Sequence, residues 1–364
     1  MIYLNSAGHG LPGRAVRQRI RDYLQLEDDI GPGAAEAETI PAAQAVTGLA
    51  AKAINAPAEN VGLVGTTTIG WNGAVLNLPL AGRRVLVAPG QWVSDVAVLT
   101  RMGAHVEMMP MTPEGHVDMD ELARELGSGI GALCMPMVSS LGGERYPVEE
   151  IGALRRPEDT YYIIDGAQAL GQMPVDVAAI NCDVFASTTR KWLRAPRGTA
   201  LVYVADHVFA HMLPNPLPRI AGLRVEGGNI LDKPGIERFS PGAVYVPQRL
   251  GLGTALEMFL EDPGAAMAAP NQLAAYVRKR ALDEGYTLTC PAEFATAITT
   301  LRLPSDHVAR IAKRLADADI ACAVPSPSCE PMRSSDWAEG GFLRISPHVY
   351  NSEADIDAVF ETIA

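Results

Sequence analysis

The chain predicts an α/β fold: a large domain with a mostly parallel sheet flanked by helices, plus a smaller α+β C-terminal domain. Three observations carry that reading. Short apolar runs alternate with longer amphipathic stretches from about residue 60 to residue 204, as β/α units do. Several of the runs are almost continuously apolar, the mark of strands covered on both faces. The alternation stops near residue 250, where helices and isolated strand-like runs take over. At 364 residues there is chain enough for one large and one small domain. The expected division places 16–255 in the large domain and joins 1–15 to 256–364 in the small one.

Taken in order, an alanine-rich helix over 42–54 precedes a first strand at 61–64. Strands follow at 84–88, 105–109, 132–135, 161–164, 183–186 and 200–204, with helices at 68–78, 92–102, 119–126 and 148–154 between them. Beyond residue 250 the pattern predicts a helix at 252–261, broken by the stretch from Pro263 to Pro270, and a second helix at 272–284. A strand at 296–303, a helix at 308–318, a strand at 342–345 and a closing helix at 352–362 complete it.

Composition narrows the function. A hydrophobic fraction of 48% with 20% charged residues is that of a globular chain, and a net charge of −12 argues against nonspecific nucleic-acid binding. The five cysteines form no CxxC pair and no zinc-type cluster, which predicts reduced thiols and no metal site. MIYLNSAGHG lacks a basic region followed by an apolar segment, and no run approaches membrane-spanning length. A cytoplasmic protein handling a small molecule, with no nucleic-acid or membrane partner, is the expectation.

The chemistry sits in YYIIDGAQALGQMPVDVAAINCDVFASTTRKWLRAPRGTALVYV, residues 161–204. Asp165 ends one apolar run and Lys191 follows another. Both are costly at buried strand ends unless something pairs with them. Pyridoxal 5'-phosphate would use both, because a carboxylate keeps its ring nitrogen protonated and a lysine holds its aldehyde as a Schiff base. Read alone, Asp165 is a helix N-cap and Lys191 a surface lysine; their shared setting favours the cofactor. Arg190 can lower the lysine's pKa or bind a phosphate. Gln168 can reach the cofactor's phenolic oxygen.

Gly65, Thr66, Thr67 and Thr68 follow the strand VGLV and open a helix, where N–H groups and hydroxyls make a phosphate cradle. Hydroxyl caps without phosphate look the same, and neither a Walker loop nor a strand-linked GxGxxG occurs. Trp92, just past RVLVAP, can stack on a cofactor ring or fill a core. Arg344, inside FLRIS, calls for an anion such as a substrate carboxylate, or for an edge position with its head in water. His9, Ser139, Tyr245 and Arg224 are further candidates for the substrate pocket.

Together these residues resemble the class V aminotransferase family, in the cysteine desulfurase-like branch of the fold-type I pyridoxal-phosphate enzymes. The resemblance runs from YLNSAG at 3–8 through GTT at 65–67, DGAQ at 165–168, ASTTRKW at 186–192 and APRG at 195–198 to LRISPH at 343–348. The pairing of DGAQ with the lysine of TTRKW is its specific part. It implies Lys191 as the aldimine lysine and proton shuttle, Asp165 against the pyridine nitrogen and Gln168 on the ring oxygen. It implies Thr67 and Thr188 on the phosphate with a backbone N–H from Thr66, Arg344 on the substrate carboxylate, and a homodimer.

Three departures qualify the resemblance. Trp92 stands where the desulfurases place a ring-face histidine, Arg190 replaces the histidine before the lysine, and Cys329 in PSPSCEP lacks the RxGxHC-like context of their mobile-loop cysteine. TTRKW, DGAQALG and LRISPHV look more like the ergothioneine-pathway C–S lyases. That resemblance implies β-elimination at the C–S bond of a cysteine conjugate or sulfoxide. A class V aminotransferase or an epimerase of a small amino acid is the alternative, and a non-catalytic binding protein on the same scaffold stands third.

Overall fold

A computed structural model describes residues 1–217, 219–240, 242, 244–333, 337 and 340–364. The short strand β1 (Ile2–Tyr3) precedes helices α1 (Arg14–Ile30) and α2 (Pro32–Ala53). Seven strands then build the central sheet: β2 (Val61–Val64), β3 (Arg84–Val87), β4 (His105–Met108), β5 (Ala132–Pro136), β6 (Tyr161–Asp165), β7 (Val184–Thr188) and β8 (Ala200–Val204). Their order is β2-β8-β7-β6-β5-β3-β4. β4, β3, β5, β6 and β7 pair in parallel, while β8 runs antiparallel to both β7 and β2. The sheet is therefore mostly parallel, as the apolar runs predict.

Period-two alternation explains why these strands are so apolar. Leu86, Leu133, Met135, Tyr162, Ile164 and Phe185 face one core, and Val85, Val87, Cys134, Ile163, Val184 and Ala186 the other. The first core is covered by α2, α5 (Met119–Leu126), α6 (Val148–Gly152), α7 (Val177–Ile180) and α8 (Val246–Glu261), and the second by α3 (Thr67–Val75) and α4 (Val93–Arg101). With helices on both faces, each central strand needs two apolar sides. β4 lies at the edge, and its residues are correspondingly more exposed.

After α8 come α9 (Pro263–Asp283) and an antiparallel sheet of β11 (Thr287–Leu288), β12 (Thr299–Leu303) and β14 (Gly341–Ile345). Helix α10 (Ser305–Asp317) and the closing helix Glu353–Ile363 cover that sheet through Leu301, Leu343, Ile345, Ile311, Val359 and Phe360. β13 (Ile320–Ala321) pairs in parallel with β1. No described helix is long and apolar enough to cross a membrane.

Several expectations needed correction. The prolines do not break the chain over 263–270. Pro263 opens α9 behind the N-cap Asp262, whose Oδ1 accepts from Ala265 N–H at 2.9 Å, and Pro270 lies buried inside the same helix. α2 likewise begins ten residues earlier than expected and runs through Pro41. α1 escaped the sequence reading because its charged stretch buries only Val16 and Tyr23, too narrow a stripe to stand out. The hairpin of β9 (Leu223–Glu226) and β10 (Asn229–Asp232) was also unforeseen; both strands are largely exposed and lack the apolar run of a core strand.

Candidate active site

A cavity of about 720 Å³ opens at the carboxyl ends of the parallel strands. β6 ends in Asp165, β7 leads through Thr188 to Arg190 and Lys191, β2 leads into Gly65, Thr66, Thr67 and Thr68, and β3 leads toward Trp92. Ala7 and His9 from the N-terminal segment close one side. Arg344 on β14 and the segment carrying Ala323, Ser326 and Cys329 close another.

The Lys191 turn is held by its backbone. Gly10 N–H donates to Arg190 O at 2.8 Å, Arg194 N–H to Lys191 O at 3.2 Å, and Ala195 N–H to Thr189 O at 3.0 Å. A side chain at residue 10 would collide with the Lys191 carbonyl, so glycine is required there. Trp192 packs behind: its Nε1 donates to Gln168 Oε1 at 3.1 Å, and its carbonyl meets buried His348 Nε2 at 3.0 Å. Burial, and then the Arg190 guanidinium, lowers the Lys191 amine to about 7, against the opposing pull of Asp165.

That shift makes a prediction for the cofactor-free protein. The unfolded chain keeps the Lys191 proton up to its ordinary pKa of 10.5, whereas the fold gives it up near 7. Between those values the unfolded state binds more protons, so stability rises with pH across the window and this contribution is flat below it. Urea unfolding near pH 7 and near pH 9 checks this, and Lys191→Met is expected to remove the rise.

Asp165 is buried, and its Oδ1 accepts from Ala167 N–H at 2.8 Å. It has no salt bridge among the described residues, and burial raises its carboxyl above the ordinary range. Asp95, in the first turn of α4, lines the same cavity and is raised by burial and by Asp165. Gln91 Nε2 and Ser94 Oγ donate to it at 2.7 and 3.1 Å. Two buried acids with no ion-pair partner among the described residues leave a site for a cationic ring nitrogen.

At the start of α3, Thr66 Oγ1 caps the helix by accepting from Ile69 N–H at 3.1 Å, while Thr67 Oγ1 is buried without a partner. Arg190 Nη1 donates to Thr188 Oγ1 at 2.7 Å, and both line the same cavity. An orphaned hydroxyl, a helix N-terminus and a guanidinium fit a phosphate group. Trp92 lines the wall, half-buried. The Arg344 guanidinium donates from Nη1 to Ser140 O at 2.6 Å and Oγ at 3.2 Å, and weakly from Nη2 to Asn5 Oδ1 at 3.4 Å. Its Nε is buried without a partner, which leaves an edge free for a carboxylate. His9 is lowered by burial and by Arg190, Arg197 and Lys191, and so favours its neutral form.

Some candidates fall elsewhere. Ser139 lies behind the cavity wall, fully buried, with its hydroxyl donating to Glu330; the neighbouring Ser140 lines the cavity instead. Gln168 lines the cavity, but its Nε2 already donates to Ala7 O at 3.0 Å and Ser140 Oγ at 2.9 Å. Tyr245 and Arg224 are exposed and outside the cavity, Arg224 pairing with Glu226 on the hairpin. The sequence reading missed Asp95 and Ser140. An acid one helical turn after Trp92 was the available signal for the first; nothing in VSSLGG distinguishes the two serines. Among the described residues no cluster suits a metal ion.

A family model described as Aminotransferase class-V matches residues 2–359. A probable cysteine desulfurase from Halobacterium salinarum is 24% identical over 279 residues, covering 73% of this chain but only 64% of that protein. Among solved structures, the apo cysteine desulfurase of Thermococcus onnurineus NA1 superposes with a TM-score of 0.88 at 20% identity, covering all of this chain and 93% of that one. A cystine C–S lyase in complex with its product cysteine persulfide has a TM-score of 0.83 at 18% identity, covering 99% and 97%. At such identities the solved structures establish the fold alone.

Proposed function

The chain belongs to the class-V aminotransferase family, and from that membership we propose that it is a pyridoxal-phosphate enzyme cleaving the Cβ–S bond of a cysteine-type amino acid. The observation that carries this reading is one cavity holding Lys191 with a lowered pKa, buried Asp165 without an ion-pair partner among the described residues and Arg344 with an unpartnered Nε. The names of the curated relatives point to cysteine sulfur.

When bound, the cofactor supplies a covalent anchor for an amine and a ring that takes up electrons from bonds at the attached carbon. Thr67 Oγ1, Thr188 Oγ1, Arg190 and the free N–H groups at the start of α3 would hold its phosphate, the Thr66 N–H beside them. Asp165 would face the ring nitrogen, Trp92 a ring face and Lys191 the aldehyde; both Nε2 hydrogens of Gln168 are spent on Ala7 and Ser140, so it packs beside the ring without donating to its oxygen. Arg344 grips the substrate carboxylate through Nε and Nη2. Lys191 Nζ, a base with a pKa near neutrality, takes the proton from the α-carbon. The sulfur then departs with the Cβ–S electron pair, and with one water the products are a thiol, pyruvate and ammonia. The reading includes a homodimer, for which the exposed Ile220, Val225 and Ile230 offer apolar surface, and a cytoplasmic setting.

Cys329 lines the cavity, yet burial and Glu330 raise its thiol, so little thiolate is present at neutral pH. Sulfur therefore leaves with the departing group, as a free thiol from a thioether or as a small-molecule persulfide from L-cystine, and is not stored on the protein. Cys329→Ser is expected to keep kcat/KM for L-cystine, measured by pyruvate release, within about threefold of wild type, as befits a thiol that is no nucleophile. Loss of activity in that variant would count for persulfide chemistry. Turnover that requires a keto acid and releases no pyruvate would count for transamination.

A further inference from the structure

Resting on the reading of Arg344 as the carboxylate holder, we infer that Glu330 is the residue that positions the Arg344 guanidinium, acting through the turn at 139–141. Glu330 is 1% exposed. Its carboxylate accepts from Ser139 Oγ at 2.9 and 3.0 Å, from Leu141 N–H at 2.8 Å and from Arg333 Nε at 2.5 Å. The first two donors flank Ser140, and Ser140 is what Arg344 leans on: its carbonyl and hydroxyl both accept from Nη1. The same hydroxyl accepts from Gln168 Nε2, so one residue ties the arginine to the DGAQ segment.

The clamp is complete on its far side. Ser139 Oγ, after donating to Glu330, accepts from Gly142 N–H at 2.8 Å and from Arg333 Nη2 at 2.7 Å, which fills a hydroxyl's capacity. Arg333 is held in turn between Glu330 and Glu144. The consequence falls on direction. Nη1 is spent on Ser140, and Nη2 reaches Asn5 Oδ1 only at 3.4 Å, so the shorter bonds to Ser140 set where the edge formed by Nε and Nη2 points. A bidentate grip on a carboxylate depends on that aim, because both N–H bonds must lie in one plane with the two oxygens. A glutamine at 330 must turn its NH₂ toward a donor it cannot satisfy, and the turn shifts.

The test uses cofactor-loaded protein and two inert probes, glycine and glycinamide, whose binding is read from the change in the cofactor absorption band. Glycine has only an amine and a carboxylate, so the ratio of the two dissociation constants isolates the carboxylate contact. Comparing that ratio between proteins cancels the different basicity of the two amines. Wild type is expected to prefer glycine by roughly tenfold or more, the size of a charge-assisted contact. Glu330→Gln is expected to cut the preference about fivefold while cofactor affinity and the unliganded band stay as in wild type. Ser139→Ala, which removes one strand of the clamp, moves the ratio the same way by less, and it decides the matter if Glu330→Gln does not fold. A wild-type ratio in the variant, or equal loss of both probes, overturns the role of Glu330. A wild type without preference overturns the assignment of Arg344 itself, a different result from either.

Discussion

Lys191→Ala is expected to fold, to retain pyridoxal phosphate loosely and to lose turnover by roughly 10⁴-fold or more, the general-base term plus the covalent attachment. The reason is positional. Among the described residues Lys191 is the one lysine lining the cavity, and its carbonyl and those of its neighbours are fixed by Gly10, Arg194 and Ala195. Its amine is the group that burial and Arg190 bring near neutrality, so at pH 7 a large share of it is an uncharged base. Arg190 is the adjacent basic group, and a guanidinium does not give up its proton in this range. Stability should not fall, since a partly buried cationic group is being removed. Pyruvate release and the absorption spectrum of the loaded variant check the first part, and its melting temperature the second.

Asp165→Asn carries the second large effect, a loss of about a hundred- to a thousandfold in kcat. Asparagine has the same shape and its Oδ1 can still accept from Ala167 N–H. On the proposed reading it lacks the charge that would hold a proton on the ring nitrogen. Asp95 does not replace it, because it is engaged by Gln91 and Ser94 and favours its protonated form. In the cofactor-free protein the same substitution is expected to raise stability at neutral pH. The folded pKa of Asp165 lies above its unfolded value of 3.8, so the buried carboxylate costs free energy at every pH above that value. A variant more stable when empty and far slower when loaded separates this role from a structural one; thermal unfolding and pyruvate release together read it.

Much of this was legible in the sequence, for a physical reason. A buried acid and a lysine at strand ends are expensive, so DGAQ and TTRKW stood out against apolar runs that otherwise follow burial alone. The sheet was readable because both faces are covered and its strands are apolar throughout. What stayed hidden has no periodic signature. Pro270 inside α9 reads as a break because local preference ignores the packing that holds it. Ser139 and Ser140 are chemically identical neighbours, and only three-dimensional partners tell the wall residue from the cavity residue. Glu330 reads as a loop glutamate after a cysteine; its partners Ser139 and Leu141 lie nearly two hundred positions away.

The central claim, that Lys191 holds a pyridoxal-phosphate cofactor here, is tested most directly by borohydride reduction of the loaded protein followed by peptide mass mapping. The account predicts a single phosphopyridoxyl group, on the peptide containing Lys191. A modification on another lysine, or none after soaking in the cofactor, would contradict it.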